Sequence, residues 1–272
     1  MRSLKIIRVQ GGKRETVEDR ITEEISLRLL AEHRRIAELM CSPGDLEDMV
    51  RGFFFTNGFI QKADQIRRIV INRATWSAFI ELDPEIDAGS FRLSGVIGSA
   101  CGSTLPVDED SAAAGVGQEE RGEVRPSEVR PSEAGLRVSA QYIGALMEAF
   151  RAQSEHHRQT GGVHAAALAD QKDILVFRED IGRHNAVDKV IGACLLLGNN
   201  FTDKLLLTSG RLSSEILHKA VRCSLPIVVS RSAPTDRSVA LARERNITLI
   251  GFARGQRMNV YSGAERVVVE PL

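Results

Sequence analysis

The sequence has no long apolar run, and this absence excludes a membrane-spanning protein. No segment approaches the ~20 consecutive apolar residues that cross a bilayer. The first twenty residues, MRSLKIIRVQGGKRETVEDR, also lack the apolar stretch of a signal peptide. We therefore expect a cytoplasmic protein with no membrane partner.

Cysteine is scarce as well. The chain has four cysteines, which include no CxxC pair and have no histidine partners close by in sequence. This pattern favours reduced thiols over a disulfide framework or a zinc site, so we expect no tightly bound metal of the protein's own. The sequence also lacks GxxxxGK[ST], which argues against a P-loop nucleotidase.

An excess of charge of either sign is absent. The 36 basic and 36 acidic residues cancel to a formal net charge of zero, so we expect no broad nucleic-acid-binding surface. Of the basic residues, 29 are arginine and 7 are lysine. A GC-rich genome alone produces such a ratio, so only the placement of the arginines is informative. A local anion pocket fits this composition better than general binding of polyanions.

The 272 residues, 43% of them hydrophobic, suffice for one large domain or two smaller ones. Residues 106–135 contain the repeat EVRPS-EVRPS and almost no large apolar side chains, which predicts a flexible, low-complexity loop or linker. Residues 1–105 are predicted to form a smaller β-rich part. Residues 136–272 alternate strand and helix patterns, which predicts an α/β domain with a mainly parallel sheet.

Local patterns define the expected elements of both parts. Alternating apolar residues on either side of residues 32–34 predict a β-hairpin, and a helix is expected to follow from Asp45. Ser139 is placed to cap a helix after the linker, and Thr235 or Asp236 is placed to cap another. Three further strands are predicted at residues 68–72, 77–82 and 91–96.

The segment FREDIGRHNAVDKVIG, residues 177–192, is the most informative part of the chain. Seven of its sixteen residues are ionisable, and they lie between an apolar strand and an apolar helix. In open α/β sheets ligands bind at this edge, where a helix N-terminus attracts anions. A solvated loop capped by Asp180 is the simpler alternative. We favour chemistry because Arg183 and His184 lie inside the turn.

The same arrangement occurs three more times in the C-terminal half, since each predicted strand is followed by an arginine next to Gly, Ser or Thr. Parallel strands end at the same edge of a sheet, so these loops are expected to share one edge. Guanidinium groups, hydroxyls and free backbone N–H groups together suit phosphate binding. The four arginines, each with its preceding strand, are Arg183 (174–177), Arg211 (204–207), Arg231 (226–229) and Arg254 (247–250).

One cysteine differs from the other three. Cys101 lies among small and hydroxyl residues, GSACGST, which leave a thiol accessible and backbone N–H groups free to lower its pKa. A cysteine that merely fits a tight turn is the alternative. Cys41, Cys194 and Cys223 lie at the end of a strand, on an apolar helix face and at the end of a helix, where we expect structural roles.

Seven motifs of the chain resemble a known family, that of the formate dehydrogenase accessory sulfurtransferases (FdhD). The resemblance covers about residues 17–263 and is interrupted only by the low-complexity segment. In chain order the motifs are TEEISLRL, MCSPGDLEDMVRGFFFTNGFI, GGVHAAAL, FREDIGRHNAVDKVIG, TSGRLSSEILHKAV, PIVVSRSAPTDRSVALA and TLIGFARGQRMNVYSG.

The resemblance implies a cytoplasmic sulfurtransferase that accepts sulfur from a cysteine desulfurase. The sulfur passes to the bis-molybdopterin guanine dinucleotide cofactor of molybdenum or tungsten, which is bound as substrate, and formate dehydrogenase is the recipient enzyme. A cytidine-deaminase-like C-terminal domain is implied too, and the chain is compatible with a homodimer. The family's persulfide cysteine falls on Cys101. Its cofactor-binding segment falls on Phe252, Ala253, Arg254, Gly255, Gln256 and Arg257.

The chain departs from the family at one position, where Thr104 replaces the second cysteine of a CGxCG-type loop. A single thiolate still holds a sulfane sulfur, so transfer stays possible without paired thiols. The alternative is a cofactor-binding chaperone that moves no sulfur.

Two histidines allow further interpretations of the sequence. His184 either assists proton movement near the sulfur or is a loop histidine hydrogen-bonded to Asp180 or Asp188. His164 begins a sequence that resembles the H-x-E motif of zinc deaminases. Position 166 is alanine rather than glutamate and no P-C-x-x-C follows, so both the general acid/base and the metal ligands of a deaminase are missing.

Overall fold

The structure is a computed structural model that describes residues 1–91, 136–198 and 200–269. The strands are β1 (Arg2–Gln10), β2 (Lys13–Ile21), β3 (Ile25–Ala31), β4 (Arg34–Cys41), β5 (Ile66–Asn72), β6 (Ser77–Leu82), β7 (Val138–Ser139), β8 (His164–Ala169), β9 (Ile174–Asp180), β10 (Leu205–Thr208), β11 (Ile227–Ser230), β12 (Thr248–Arg254), β13 (Arg257–Ser262) and β14 (Val267–Val268). The helices are α1 (Leu46–Thr56), α2 (Ala140–Gln153), α3 (Glu155–Thr160), α4 (Arg183–Leu196), α5 (Ser214–Arg222) and α6 (Asp236–Glu244).

The N-terminal part is built on a four-stranded sheet with the order β4-β3-β6-β5. In β3 the buried side chains alternate with more exposed ones, as the sequence pattern predicts for a sheet with one covered face. The predicted hairpin, the helix after Asp45 and the strands near residues 68–72 and 77–82 are confirmed. Phe91 lies outside any strand, and the rest of the predicted strand 91–96 falls outside the described residues.

The first 21 residues form an antiparallel hairpin, β1–β2, which the sequence analysis did not anticipate. Its residues are exposed or only partly buried. Side chains of α3 hold the base of this hairpin. Arg20 donates to Gln159 over 2.8 Å, and Thr22 just beyond β2 donates to Thr160 over 2.9 Å.

The C-terminal part contains a six-stranded sheet with the order β13-β12-β11-β10-β8-β9, and the predicted α/β class is confirmed. Strands β9, β10, β11 and β12 run in one direction. Strand β8 runs antiparallel between β9 and β10, and β13 runs antiparallel at the edge, so the sheet is mixed. The sequence analysis missed β8 because alanine, which fills most of its length, has little preference for strands.

Helices cover both faces of this sheet. On one face α2 packs against alternate residues of the strands through Ile143, Met147 and Phe150. On the other face α4 and α5 belong to a larger core that also contains the buried residues of α1, β3 and β6. The predicted caps are confirmed, since Ser139 accepts from the N–H of Tyr142 and Thr235 accepts from the N–H of Ser238.

Helices α1 and α4 cross in direct backbone contact, which joins the two parts. A Cβ on Gly52 would lie 1.8 Å from the carbonyl oxygen of Asp188, and a Cβ on Gly192 would lie 1.9 Å from that of Asp48. Only glycine fits at either position. The sequence predicts one apolar face for α4, but the helix is buried on nearly all sides because α1 covers the face opposite the sheet.

Candidate functional site

The C-terminal ends of β9, β10, β11 and β12 lie at one edge of the six-stranded sheet, as the sequence predicts. Because β8 is antiparallel to its neighbours, it begins at the same edge, and its first residue pairs with the last residue of β9. We call this edge the rim. It comprises His164 and residues 181–184, 209–211, 230–232 and 251–252.

Hydrogen bonds link the loops of the rim from one strand to the next. The N–H of Arg231 donates to the carbonyl of Thr208 over 3.3 Å, and the N–H of Phe252 donates to the carbonyl of Ser232 over 3.0 Å. The buried hydroxyl of Ser230 donates to the carbonyl of Gly210 over 2.6 Å. The loops after β10, β11 and β12 are therefore held as one surface.

Three of the predicted arginines lie on this surface. Arg183 is the first residue of α4 and is buried. Its aliphatic stem packs against Gly210 and fills the space that a side chain at position 210 would need. Arg211 is exposed and Arg231 is partly buried. Neither Arg211 nor Arg231 forms an ion pair with any carboxylate of the described chain.

The second predicted group, Phe252–Arg257, lies where β12 turns into β13. The sequence analysis ends this strand at Ile250, but β12 continues to Arg254, and Phe252 has a positive φ of 52° at an irregularity in the pairing. Phe252 belongs to the rim. Further along, the carbonyl of Gly255 packs against Gly144 of α2. The other members are Ala253, which is buried, and Arg254, Gln256 and Arg257, which are exposed.

Several charged side chains of residues 177–192 form ion pairs and hydrogen bonds inside the protein instead of facing a ligand. Asp180 and Lys189 form an ion pair of 2.7 Å, and neither side chain has any exposed surface. The carboxylate of Asp180 also accepts from the backbone N–H groups of Ser42 and Gly182, over 3.0 and 2.8 Å, and from Asn185 over 2.9 Å. The pair therefore ties the start of α4 to the end of β4.

Two other charged residues of the segment have similar roles. Arg178 donates to Asp48 of α1 over 2.8 Å. Asp188 accepts from Lys219 of α5 over 2.7 Å and from Thr56 of α1 over 2.8 Å. Burial raises the pKa of Asp188, and the charge of Lys219 opposes this shift. The sequence favoured chemistry for these charges, but these contacts hold α1, α4 and α5 together.

His184 contacts neither of the carboxylates that the sequence analysis considered. Its Nε2 lies 3.0 Å from a carboxylate oxygen of Glu215 in α5. Asp180 and Asp188 are instead paired with Lys189 and Lys219. Of the two alternatives for His184, the one that gave it a hydrogen bond to Asp180 or Asp188 is thus wrong, since the carboxylate next to its Nε2 is that of Glu215. A role of His184 in moving a proton stays a prediction.

The sequence analysis considered His164 only as the start of a deaminase-like motif and did not select it as a binding residue, but the structure places it at the rim between the loops that follow β9 and β10. Its Nδ1 lies 3.3 Å from the hydroxyl of Ser209, and the same hydroxyl accepts from the N–H of Ala165 over 2.9 Å. Burial and then the charge of Arg183 hold the pKa of His164 below its usual value. The sequence does contain a signal for this residue. His164 begins an alanine-rich segment that precedes the charged segment 177–192 along the chain.

Cys101 and Thr104 lie outside the described residues, so their predicted roles stay predictions. The other three cysteines are buried, as expected for structural thiols. Burial raises the pKa of Cys41 and of Cys223 well above the usual range, so neither forms a thiolate at neutral pH.

Residues 1–91, 136–198 and 200–269 have neither a metal-binding cluster nor a membrane-spanning helix. These ranges contain no group of three or more His, Cys, Asp and Glu side chains arranged to hold a metal ion. None of the helices there has the length and apolar character needed to span a bilayer.

Comparison with known proteins gives consistent matches over almost the whole chain. The model of the FdhD/NarQ family matches residues 22–268. The sulfur carrier protein FdhD of Bacillus subtilis is 36% identical over 96% of this chain and 95% of its own, and that of Staphylococcus aureus (strain MRSA252) is 34% identical over 97% and 95%. A crystal structure described as a formate dehydrogenase accessory protein, from Desulfotalea psychrophila, has a TM-score of 0.74 at 26% identity and covers 98% of both chains. The chain belongs to the FdhD/NarQ family.

Proposed function

We propose that this protein is a sulfur carrier that accepts sulfur from a cysteine desulfurase and delivers it to the molybdenum cofactor on behalf of formate dehydrogenase. The observation that carries the proposal is the match, over at least 96% of the chain, to relatives named as sulfur carrier proteins. The description of the structural neighbour as a formate dehydrogenase accessory protein supports the recipient enzyme.

Cys101 is the sulfur-carrying residue in this proposal. Its thiolate attacks the terminal sulfur of the desulfurase persulfide, so that one S–S bond forms on Cys101 as another breaks, and the desulfurase thiolate leaves. Release of the carried sulfur as sulfide requires two electrons, which a thiol reductant supplies. The burial of Cys41, Cys194 and Cys223 supports this choice, because an incoming persulfide does not readily reach a thiol that has little or no exposed surface.

The rim is the proposed binding surface for the guanine dinucleotide portion of the cofactor, which is the substrate. Its loops offer the guanidinium groups of Arg211 and Arg231, which form no ion pair with a carboxylate of the described chain, together with hydroxyls at Ser209 and Ser232. Phosphate oxygens bind such groups through charge-assisted hydrogen bonds. The residues proposed for this role are Arg183, His184, Arg211 and Arg231, with Phe252, Ala253, Arg254, Gly255, Gln256 and Arg257 at the end of β12.

The decisive test is to locate a persulfide after incubation with a cysteine desulfurase and cysteine. Mass spectrometry of the intact and digested chain should show one added sulfur on Cys101, and Cys101→Ala should lose both the added sulfur and the activation of formate dehydrogenase. Cys194→Ala is the control. It should keep the persulfide while losing about 1 kcal/mol or more of stability through lost packing.

Two results would count against this function. A persulfide found only on another cysteine would refute the role of Cys101. Unchanged activation of formate dehydrogenase by Cys101→Ala, with the cofactor still bound, would favour a cofactor-binding chaperone that moves no sulfur.

A further inference from the structure

His164 lies at the rim between two neighbouring strands, in a position that fixes its ring. Asp180 of β9 is its partner in the strand register on one side, and Ser209 follows β10 on the other. The oxygen of Ser209 already accepts from the N–H of Ala165, so its own hydrogen can be donated to Nδ1 of His164. In the neutral tautomer that carries its proton on Nε2, Nδ1 of His164 accepts this hydrogen bond.

The charges around His164 are mainly positive. Arg183 of α4, His157 of α3 and Arg211 of the loop after β10 all disfavour protonation of the imidazole. Asp180 acts in the opposite direction, but its carboxylate is already paired with Lys189. The free protein therefore keeps His164 neutral near pH 7, beside the same guanidinium groups that would bind an oxyanion.

We propose that His164 contacts a phosphate of the ligand at the rim and takes up a proton as that ligand binds. An oxyanion bound between Arg183 and Arg211 offsets their positive charge. The pKa of His164 then rises, because the two guanidinium groups no longer disfavour protonation of the imidazole as strongly. The inference rests on the proposed function, because it takes the phosphate-bearing part of the cofactor to be the ligand.

The added proton comes from solvent and changes the direction of one hydrogen bond. Nδ1 of the imidazolium becomes a donor to the oxygen of Ser209, whose own hydrogen is then available to the bound anion. Protonation thus converts His164 and Ser209 into a paired set of donors without movement of the backbone. Both donors are held by β8 and the β10 loop, so little ordering is needed on binding.

The sign of the resulting pH dependence follows from linkage. The complex holds more protons than the free protein, so affinity rises as the pH falls. The rise occurs between the pKa of His164 in the complex and the pKa of the free imidazole, which burial and the charge of Arg183 lower, and it levels off below the latter. Uptake of one full proton corresponds to at most about a tenfold gain in affinity for each pH unit.

Calorimetry with guanosine diphosphate as the probe tests this linkage. Binding is measured in two buffers of different ionisation enthalpy, at about pH 6 and about pH 8, which bracket the usual histidine pKa. The difference between buffers gives the number of protons taken up. The variant His164→Asn keeps an amide near the position of Nδ1 but cannot be protonated. Because the phosphate of the probe titrates equally for every variant, the difference between wild type and His164→Asn reports the imidazole alone.

A matched control is His33→Asn. His33 lies exposed in the β3–β4 turn with a φ of 65°, a conformation that asparagine tolerates. We expect His33→Asn to keep the proton uptake and the pH-dependent affinity of the wild type. We expect His164→Asn to take up fewer protons than the wild type and to gain less affinity between about pH 8 and about pH 6, since only the titration of the probe's own phosphate is left.

A direct measurement on the wild-type protein guards against misfolding of the variant. The NMR signal of the His164 ring should titrate at higher pH when the diphosphate is present than when it is absent. An unchanged titration, equal proton uptake by His164→Asn and wild type, or no binding of the diphosphate would each overturn the proposal. Failure of the sulfur chemistry is distinguishable, because Cys101→Ala should keep proton-linked binding while it loses the persulfide.

Discussion

The buried pair of Asp180 and Lys189 is the most consequential ionic contact of the described chain. Neither side chain is exposed, and the pair links the first turn of α4 to the segment that follows β4. Removal of one partner from a buried pair leaves an uncompensated charge in the protein interior. Asn185, in the same first turn of α4 as Arg183, also donates to Asp180, so the pair helps to hold the start of this helix in place.

The substitution Lys189→Met should destabilise the protein by about 3–5 kcal/mol, because it keeps the apolar stem but leaves Asp180 charged and buried. Urea unfolding measures this loss. Lys172→Met is a suitable control, since Lys172 is exposed in the β8–β9 turn and should change stability by less than about 0.5 kcal/mol. Equal stability of the two variants would show that the buried pair is not needed.

Arg254, the last residue of β12, allows a test of the proposal that arginines at the strand ends bind phosphate. Arg254→Ala should weaken the binding of guanosine diphosphate by about tenfold or more through loss of a charge-assisted hydrogen bond. Arg14→Ala, at an exposed position near the start of β2, is the control and should leave affinity unchanged. Calorimetry should also show weaker binding at higher salt. If guanosine and its diphosphate bind equally well, the phosphate argument is wrong.

At the scale of residues, the sequence predicts the rim better than it predicts the roles of the charges. Arg211 and Arg231 follow their strands as expected, because strand ends can be recognised from apolar runs and small residues. The segment 177–192 was harder to interpret. Whether a charge near a turn meets solvent or a buried partner depends on residues such as Ser42 and Asp48, which lie more than a hundred positions away.

At the scale of elements, the crossing of α1 and α4 brings the backbones of the two parts into direct contact. Gly192→Ala places a methyl group against the carbonyl of Asp48, at a position where backbone would have to move. Overpacking of a core typically costs about 1–3 kcal/mol, and a clash with backbone belongs at the upper end of that range or beyond. We expect a correspondingly large fall in the midpoint of urea unfolding.

Gly44→Ala provides the comparison for this substitution. Gly44 lies just before α1, is exposed, and has no atom within 4 Å of the position that a Cβ would occupy. This variant should unfold at nearly the wild-type urea concentration. If Gly192→Ala and Gly44→Ala behaved alike, the helices would have to separate without cost, and close packing at the crossing would be refuted.

The helices were easier to predict than the whole set of strands. Apolar residues three and four positions apart indicate α1 and α2, and Ser139 caps α2 as expected. Strand β8 has no such signal, because its alanines pack on both faces of the sheet and suit a strand only through their neighbours. The close crossing of α1 and α4 is likewise absent from local patterns, since a glycine inside a helix does not reveal which backbone it contacts.

At the scale of the whole molecule, one hydrophobic core runs through the N-terminal and C-terminal parts. It contains Leu29 of β3, Phe54 of α1, Ile191 of α4 and Leu217 of α5. Separate parts joined by a linker would each unfold on their own. Here the apolar surface of α1 is covered from both sides, by its own sheet and by α4, so loss of either part exposes the core of the other.

We therefore expect the protein to unfold in a single cooperative transition. Its one tryptophan, Trp76, packs against the shared core from the N-terminal part, so its fluorescence reports on that part. Far-ultraviolet circular dichroism reports on the helices, most of which belong to the C-terminal part. The two signals should change at the same urea concentration, and Gly192→Ala in α4 should shift both by the same amount. Two separate midpoints, or a shift of the dichroism signal alone, would show that the parts unfold independently.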